Sequence, residues 1–566
     1  MKPSFFPTNA RNWLLKNSVV LVAFVLANSF TNAWLMGDTV DYVDSISAYD
    51  QGRHLQFWEF GHLLWRPFGW LSFRLAEPIT HLLYSGDQRA KITFTLMAIN
   101  WIGALACVLT LAALTRHVCK NEWIVSLSTL GFLFSAAFLN YSQTGSAYVP
   151  GLALVLLAVF ILLRNSQRPE PSRIHAFGAG IILAAAVCLW IPFILLLPAA
   201  LTAPLFLVRF DMKIARSLIW TVVALSAVTI VAYIVVLLTL GIRSPEALQT
   251  WVTAAAHGMD RMRGVPRMIF GFANSLIDLG GDGATYKRYL RHDPYNSVSA
   301  ADLFRSSLWK LLFCYLFLAG FLLTLLLSKN RGKFLGLLLM NFVPTIIFAL
   351  FIFEAGDTSR YIVTLPIFFL VVAYAACHER AHAWFKYLLV LFISILIITN
   401  VRAMSSSKSR LREERNLSRV NELLPLLKPN SIVMVSHLQD DLANFTRDFL
   451  FNPVIRNNNL HYVAVLAINT SQVDHWRQES SEQITKVWAK NGDVWLTRRL
   501  LSPRPRWDWN WVEGDDPRVS WIDLYNHFSK FETGQAVGGD DGFVLLLPSE
   551  RNKELLATDS QGVRRK

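Results

Sequence analysis

Charged side chains are scarce in this sequence, and its long apolar runs contain almost none. Of the 566 residues, 53% are hydrophobic and only 17% are charged, and the mean hydropathy is +0.36. This composition excludes an ordinary soluble protein and indicates a multi-pass membrane protein. Ion-coupled transporters, proton relays and voltage sensors place charge at membrane depth, so the same scarcity argues against those classes.

Cysteine is also rare, and all five cysteines lie inside apolar runs or at the basic ends of such runs. No CxxC pair and no cysteine–histidine spacing typical of a metal site occurs. The sequence therefore predicts no disulfide framework and no thiolate metal centre. No glycine-rich nucleotide fingerprint follows a predicted strand either, which gives no reason to assign nucleotide chemistry.

Positive charge is in excess, with a net charge of +14. Its basic residues fall mainly in short segments between the apolar runs, where they anchor to lipid headgroups and set topology, so nucleic-acid binding is rejected. The predicted fold is an α-helical polytopic membrane protein with about eleven transmembrane helices. The predicted spans are 18–35, 92–114, 123–140, 148–163, 177–191, 193–208, 218–240, 311–327, 334–353, 361–376 and 384–399.

Every second gap between these spans is basic, which places the N-terminus in the cytoplasm under the positive-inside rule. The opposite side then receives the loops 36–90 and 241–310 and everything after residue 401. We expect a transmembrane domain over 1–402 and an extracytoplasmic α/β domain over 403–566. The N-terminal run is interpreted as an uncleaved span, and a bacterial inner membrane is favoured over an endoplasmic reticulum.

The segment 37–70 is the most acidic stretch next to a predicted span. If Asp38 begins a helix, Asp41 and Asp44 follow at three-residue spacing and share one face. This arrangement suits proton transfer or cation binding at the outer membrane surface. The alternative is structural, with Asp38 as an N-cap and Asp41 completing a motif like a capping box.

These residues resemble a known family, the GT-C glycosyltransferases that use polyprenyl-phosphate sugars, including protein O-mannosyltransferases and aminoarabinose transferases. The matching motifs are Gly37-Asp38 with Asp41-Tyr42, then HLLWRP at 62–67, similar to a His-Pro-Pro-Leu-Tyr run, and EAGDTSRYIVTLP at 354–366, similar to a Glu…Arg-Tyr…Pro segment. A Gly-rich, Pro-containing pair of spans falls at 178–204. The resemblance covers about residues 10 to 400. Asp38 is followed by Thr39 where the family commonly has Glu, and the second proline of the histidine motif is replaced.

The resemblance implies an extracytoplasmic carboxylate that accepts the proton of the acceptor while a lipid phosphate leaves with inversion. It assigns Asp38 as the base, with Asp41 as the other candidate. Asp41 or Asp44 would orient the base or bind a divalent cation. No sequence feature demands such a cation. The donor phosphate needs cations, so Arg360 and then Arg66 are its predicted ligands, with hydrogen bonds from Tyr361 and His62. The alternatives are an interfacial arginine for Arg360 and a structural hydrogen bond for His62.

The long loop 241–310 carries two basic groups interleaved with apolar residues, which predicts interfacial helices on the membrane. Accessory roles near the donor are predicted for Glu354 and for three basic residues of the loop, Lys287, Arg288 and Arg291. The alternative for the loop is attraction to anionic lipid headgroups.

After residue 401 the periodicity becomes that of a soluble domain. Apolar runs at 432–435, 462–467, 494–496 and 543–547 predict strands, and 417–427, 440–451, 473–489 and 520–531 predict helices, which together favour a largely parallel sheet. Trp507, Trp509 and Trp511 alternate in RPRWDWNW and would share one face of an extended segment. They are predicted to stack on sugar, or alternatively to pack against the domain or the membrane interface.

The predicted function is transfer of a sugar from a polyprenyl-phosphate donor to a lipid, glycan or protein acceptor on the extracytoplasmic side, as an inverting GT-C enzyme. Its predicted partners are the donor, membrane lipids and an unidentified acceptor. A lipid or glycan transporter with an extracytoplasmic domain is the alternative.

Overall fold

A computed structural model describes residues 10–33, 38–50, 52, 57–83, 88–254, 265–279, 289, 299–351, 358–378, 383–405, 422–436, 464–468, 476–503, 524–539 and 542–562. The chain divides into two compact units. One comprises Met1–Gly283 with Phe304–Ser406, and the other comprises Ala284–Leu303 with Ser407–Lys566. That the first is a transmembrane domain and the second an extracytoplasmic one stays a prediction.

The first unit is helical throughout the part that the structure describes. Its helices are α1 Ala10–Phe30, α2 Thr39–Asp50, α3 Trp65–Leu83, α4 Gln88–Val118, α5 Glu122–Leu133, α6 Ala136–Tyr141, α7 Tyr148–Ser166, α8 Arg173–Leu189, α9 Leu197–Leu207, α10 Met212–Thr239, α11 Pro245–Ala254, α12 Val265–Leu276, α13 Trp309–Leu326, α14 Arg331–Phe351, α15 Leu365–Cys377 and α16 Ala383–Ala403. Single 3-10 turns lie at Phe60–His62, Ile191–Leu196 and Thr358–Val363.

Seven of the described helices are long and apolar enough to cross a membrane, namely α1, α4, α7, α10, α13, α14 and α16. Shorter apolar helices occur at Glu122–Leu133, Arg173–Leu189, Ile191–Leu207 and Tyr361–Cys377. Each of the eleven predicted spans falls on one of these segments, and the prediction of a polytopic helical membrane protein is confirmed. Backbone groups have no water partner in lipid, so apolar runs of this length become helices.

The predicted single span 123–140 is wrong in one respect, because the chain breaks it into α5 and α6. Ser135 has an extended backbone between the two helices, with φ −62° and ψ 140°. The helix-like apolar pattern continues through this break, so composition alone does not reveal it. The chain also changes direction after α8, where Pro192 lies in the 3-10 turn Ile191–Leu196 that leads into α9.

Helices α8 and α10 pack closely and run side by side in the same direction. A Cβ on Gly180 would stand 2.3 Å from the carbonyl oxygen of Thr221, so only glycine permits this approach. The Thr221 hydroxyl also donates to the Ala176 carbonyl at 2.9 Å. At their other ends, Cys188 and Val236 share an apolar cluster with Leu63.

One disulfide is present, although the sequence predicts no disulfide framework. Cys119 follows α4 and Cys377 ends α15, and the two are joined with their Cα atoms 5.6 Å apart. They are separated by 258 residues, so no sequence spacing reveals the pair. The remaining cysteines, Cys107, Cys188 and Cys314, are free and buried.

The second unit contains an α/β sheet, as predicted. Its strands are β1 Ile432–Ser436, β2 Ala464–Ile468, β3 Val494–Thr497, β4 Thr533–Val537 and β5 Phe543–Leu546, in the order β2-β1-β3-β5-β4. Strands β2, β1 and β3 pair in parallel, whereas β3–β5 and β4–β5 are antiparallel. The sheet is therefore mixed rather than largely parallel, because β4 and β5 form an antiparallel hairpin. Strand β4 was not predicted from the sequence. Two further helices are α17 Trp476–Ala489 and α18 Glu550–Gly562.

Candidate active site

Asp38 stands immediately before α2, where the sequence predicts a helix start. Its carbonyl oxygen accepts the amide of Tyr42 at 3.0 Å, which closes the first helical turn. Its half-buried carboxylate accepts two phenol hydrogens, from Tyr148 at 2.8 Å and from Tyr42 at 3.2 Å, both on Oδ2. The carboxylate is thus directed at side chains of the helical unit.

The start of α2 is fixed by the turn that precedes α7. The Gly145 amide donates to the Thr39 hydroxyl at 3.0 Å, and the Gly145 carbonyl accepts the indole N–H of Trp65 at 3.1 Å. A Cβ on Gly145 would stand 2.7 Å from the Thr39 side chain, so a side chain does not fit there. These contacts hold Asp38 and the beginning of α3 beside the first residue of α7.

Tyr42 joins Asp38 to two other predicted site residues. The guanidinium carbon of Arg66 lies 5.1 Å from the Tyr42 ring centroid, and the His62 ring meets the same ring edge-on at 5.4 Å. Burial, together with the carboxylates of Asp38 and Glu59, raises the pKa of Tyr42 well above its ordinary value, although Arg66 opposes the shift. The phenol therefore stays protonated and donates to Asp38.

Glu59 neutralises the cationic side of the cluster. One of its carboxylate oxygens accepts from Arg66 Nη1 and lies 3.3 Å from His62 Nδ1. Burial alone would raise the pKa of Glu59, but His62 and Arg66 outweigh it and lower that pKa to about 2. His62 Nε2 and Arg66 Nε are buried and have no hydrogen-bond partner among the described residues. Buried polar atoms of this kind are ordinarily hydrogen-bonded to a ligand or to water.

The Glu59 ion pair makes stability depend on pH. Because its folded pKa is depressed, its contribution is present above the ordinary pKa of 4.5 and is lost as pH falls toward about 2. We expect the thermal unfolding midpoint in detergent to fall across this window, corresponding to about 3 kcal/mol. Glu59→Gln should flatten the dependence, whereas Glu482→Gln, at an exposed carboxylate, should keep it. Equal pH profiles for the wild type and Glu59→Gln would contradict the expectation.

The segment that carries Glu59 and His62 is anchored by three helices. The Trp251 indole donates to the Trp58 carbonyl at 2.8 Å, and the Tyr233 hydroxyl donates to the Phe60 carbonyl at 2.8 Å. The Leu64 amide donates to the Cys188 carbonyl at 2.9 Å. Contacts from α11, α10 and α8 therefore hold the 3-10 turn Phe60–His62 and its neighbours in place.

The other predicted stretch, with Arg360 and Tyr361, forms the 3-10 turn Thr358–Val363. Tyr361 is buried, and its ring meets Phe272 of α12 edge-on at 6.2 Å. The turn also packs against α6 and α7, whose connecting turn adjoins Asp38. The fold thus directs both predicted stretches to the α6–α7 region.

The other predicted site residues lie on α2 or outside the described ranges. Asp41 is exposed on α2, and Asp44 lies within the same helix. The remaining predicted residues lie outside the described ranges; they are Glu354, Lys287, Arg288, Arg291, Trp507, Trp509 and Trp511. In the described part of the chain, no three His, Cys, Asp or Glu residues are grouped as metal ligands.

Three residues of the cluster were not predicted as site residues. Glu59 was given no role, although it precedes His62 by three residues and Arg66 by seven, which places a carboxylate near both. Tyr42 belonged to the aspartate motif without a role of its own. Tyr148 had no signal, because only the tertiary fold brings it to Asp38.

The whole chain shares its fold with a solved membrane protein. The crystal structure of ArnT from Cupriavidus metallidurans bound to undecaprenyl phosphate matches 96% of this chain and 99% of that chain, with a TM-score of 0.51 at 11% identity. The apo state of the same ArnT matches over the same shares, with a TM-score of 0.41 at 12% identity. No family model matches the sequence, and no curated protein matches it significantly.

At 11% identity this likeness concerns the fold. The protein is a multi-pass membrane protein with an α/β region toward its C-terminus, and it shares its fold with that ArnT. The resemblance inferred from the aspartate, histidine and arginine–tyrosine motifs is confirmed at that level.

Proposed function

We propose that the protein is a GT-C type glycosyltransferase that moves a sugar from a polyprenyl-phosphate-linked donor to an acceptor on the extracytoplasmic side of a bacterial inner membrane. One observation carries the proposal. Asp38 and Arg66, a carboxylate and a buried cation from two separate helices, both contact Tyr42. The shared fold with a protein crystallised with undecaprenyl phosphate supports a polyprenyl-phosphate donor.

Asp38 acts as the general base. It takes the proton of the acceptor nucleophile, which attacks the anomeric carbon of the sugar, while the bond to the phosphate oxygen breaks and its electron pair leaves with the phosphate. The hydroxyls of Tyr42 and Tyr148 fix the carboxylate in place. Displacement from the opposite face of the sugar inverts the anomeric configuration, and Asp41 is the alternative base on the same helix.

Arg66 stabilises the departing phosphate. The guanidinium is buried and held by Glu59. Its Nε and the His62 Nε2, which have no partner among the described residues, supply further hydrogen bonds. Charge-assisted hydrogen bonds from arginine suit phosphate oxygens, and a water-poor setting strengthens them. Arg360 and Tyr361, which belong to the turn Thr358–Val363, are the further predicted ligands of the phosphate. The accessory roles of Asp44, Glu354, Lys287, Arg288 and Arg291, sugar stacking by Trp507, Trp509 and Trp511, and the divalent cation remain predictions.

The test is consumption of a donor. Purified protein in liposomes, given a polyprenyl-phosphate sugar and a mixture of envelope lipids and glycans, should release polyprenyl phosphate and produce a labelled acceptor. A transporter would instead move labelled lipid between leaflets with the donor intact. Donor movement without phosphate release would overturn the proposal.

A further inference from the structure

A basic pocket lies at the end of α8 and α10 that is remote from the candidate active site. It has a volume of about 200 Å³ and is lined by Arg173 from α8, by Lys213, Arg216 and Trp220 from α10, and by Glu170 from the turn before α8. These lining residues all belong to the described part of the chain. We call it the basal pocket.

The basal pocket is separate from the Asp38–Tyr42–Arg66 cluster. Helices α8 and α10 run in parallel from the pocket to the cluster, where Cys188 contacts Leu63. Arg173 and Cys188 are fifteen residues apart on α8, which corresponds to about 20 Å along a helix. A ligand in the pocket therefore does not touch the proposed donor or acceptor.

The cations of the basal pocket lack carboxylate partners, unlike their neighbours. Arg209 pairs with Asp211 at 3.1 Å, and Arg116 pairs with Glu122 at 2.9 Å. Within the described chain, no ion pair is formed by Arg173, Lys213 or Arg216, so three cations face the single carboxylate of Glu170. An anion placed among them would relieve their mutual repulsion.

The arrangement of these cations follows from helix geometry. Lys213, Arg216 and Trp220 follow one another at spacings of three and four residues, so they share one face of α10. Arg173 reaches this face from α8, with its guanidinium carbon 5.9 Å from the Trp220 ring centroid. Three donor groups therefore converge on one small volume beside an aromatic ring.

Apolar side chains next to the pocket indicate what carries the anion. Ile174 and Phe210 are 82% and 83% exposed, and Ile219 and Met212 are also exposed. These residues flank the cations in sequence on α8 and α10 and leave apolar surface exposed beside them. Tryptophan is enriched at this depth, between headgroup and hydrocarbon. A free anion would contact the cations alone, whereas an anionic lipid would contact both the cations and the exposed apolar side chains.

We propose that the basal pocket binds the phosphate of an anionic glycerophospholipid, in the leaflet opposite the one that supplies the glycosyl donor. The phosphodiester accepts hydrogen bonds from Arg173, Lys213 and Arg216, and the acyl chains lie along Ile174 and Ile219. Basic pockets between transmembrane helices are typical sites for such headgroups. The bound lipid bridges α8 and α10 at their first turns.

The full-length protein is tested by native mass spectrometry with phosphatidylglycerol, phosphatidylcholine or inorganic phosphate. The wild type should retain phosphatidylglycerol in preference to phosphatidylcholine, and Lys213→Gln/Arg216→Gln should weaken that retention by about tenfold or more. The control Arg209→Gln/Lys329→Gln removes two cations from outside the pocket and should retain the lipid. Arg173→Gln, which leaves α10 unchanged, should weaken retention as well.

Three results would overturn the proposal. The first is equal retention by the pocket variants and the wild type. The second is an equal loss in the control, which would mean that net charge decides binding. The third is displacement of the lipid by millimolar inorganic phosphate, which would identify a free-anion site. The unfolding midpoint without added lipid shows whether a pocket variant is folded. If the double variant is not folded, Arg173→Gln replaces it in the binding measurement.

Discussion

Asp38→Asn is expected to abolish sugar transfer while the protein stays folded. Asparagine has the size of aspartate and keeps an oxygen that accepts the hydroxyls of Tyr42 and Tyr148, so the local packing survives. It does not accept the proton of the nucleophile. General-base catalysis contributes about 10²–10⁴-fold, and the transfer rate should fall by that factor. The measurement is single-turnover release of polyprenyl phosphate.

Two companion variants make this result specific. Asp41→Asn changes an exposed carboxylate on the same helix and should leave transfer nearly intact. Tyr148→Phe removes one hydrogen bond to Asp38 and should give an intermediate loss of about tenfold, as befits a positioning residue. If Asp41→Asn were inactive and Asp38→Asn active, the base would be Asp41. If both variants were active, neither Asp38 nor Asp41 would be the base.

Arg66→Gln is expected to reduce transfer by about 10²–10³-fold, because the charge that develops on the phosphate loses its buried counter-ion. The same change leaves Glu59 buried without its guanidinium, and breaking a buried pair in this way costs about 3–5 kcal/mol. A low activity could therefore arise from unfolding as well as from lost phosphate binding. Activity and the unfolding midpoint must be measured on the same preparation.

The double variant Glu59→Gln/Arg66→Gln separates the two causes. It removes both charges, so the unfolding midpoint should recover toward that of the wild type while transfer stays low. Arg74→Gln is the matched control, since Arg74 lies on the same helix but pairs with Asp50 and Glu77. It should remain active. Transfer restored in the double variant would show that Arg66 serves the fold and not the phosphate.

The candidate site was partly predictable. Asp38, His62 and Arg66 were identified because they lie in an acid-rich stretch next to a predicted span, within motifs that resemble those of the GT-C glycosyltransferases. The sequence does not identify Glu59 as the partner of Arg66. Its importance comes from the ion pair with Arg66, and that pair depends on how the 3-10 turn Phe60–His62 directs the side chains.

The sequence by itself determined the class of the protein and the positions of its apolar helices. In lipid, each segment must satisfy its own backbone hydrogen bonds, so local composition is sufficient to identify those helices. Only the tertiary structure decided that Tyr148 reaches Asp38, that Cys119 joins Cys377 and that the last strands of the sheet turn antiparallel. Each of these contacts depends on how separate elements pack together. The sequence around each partner does not predict that packing.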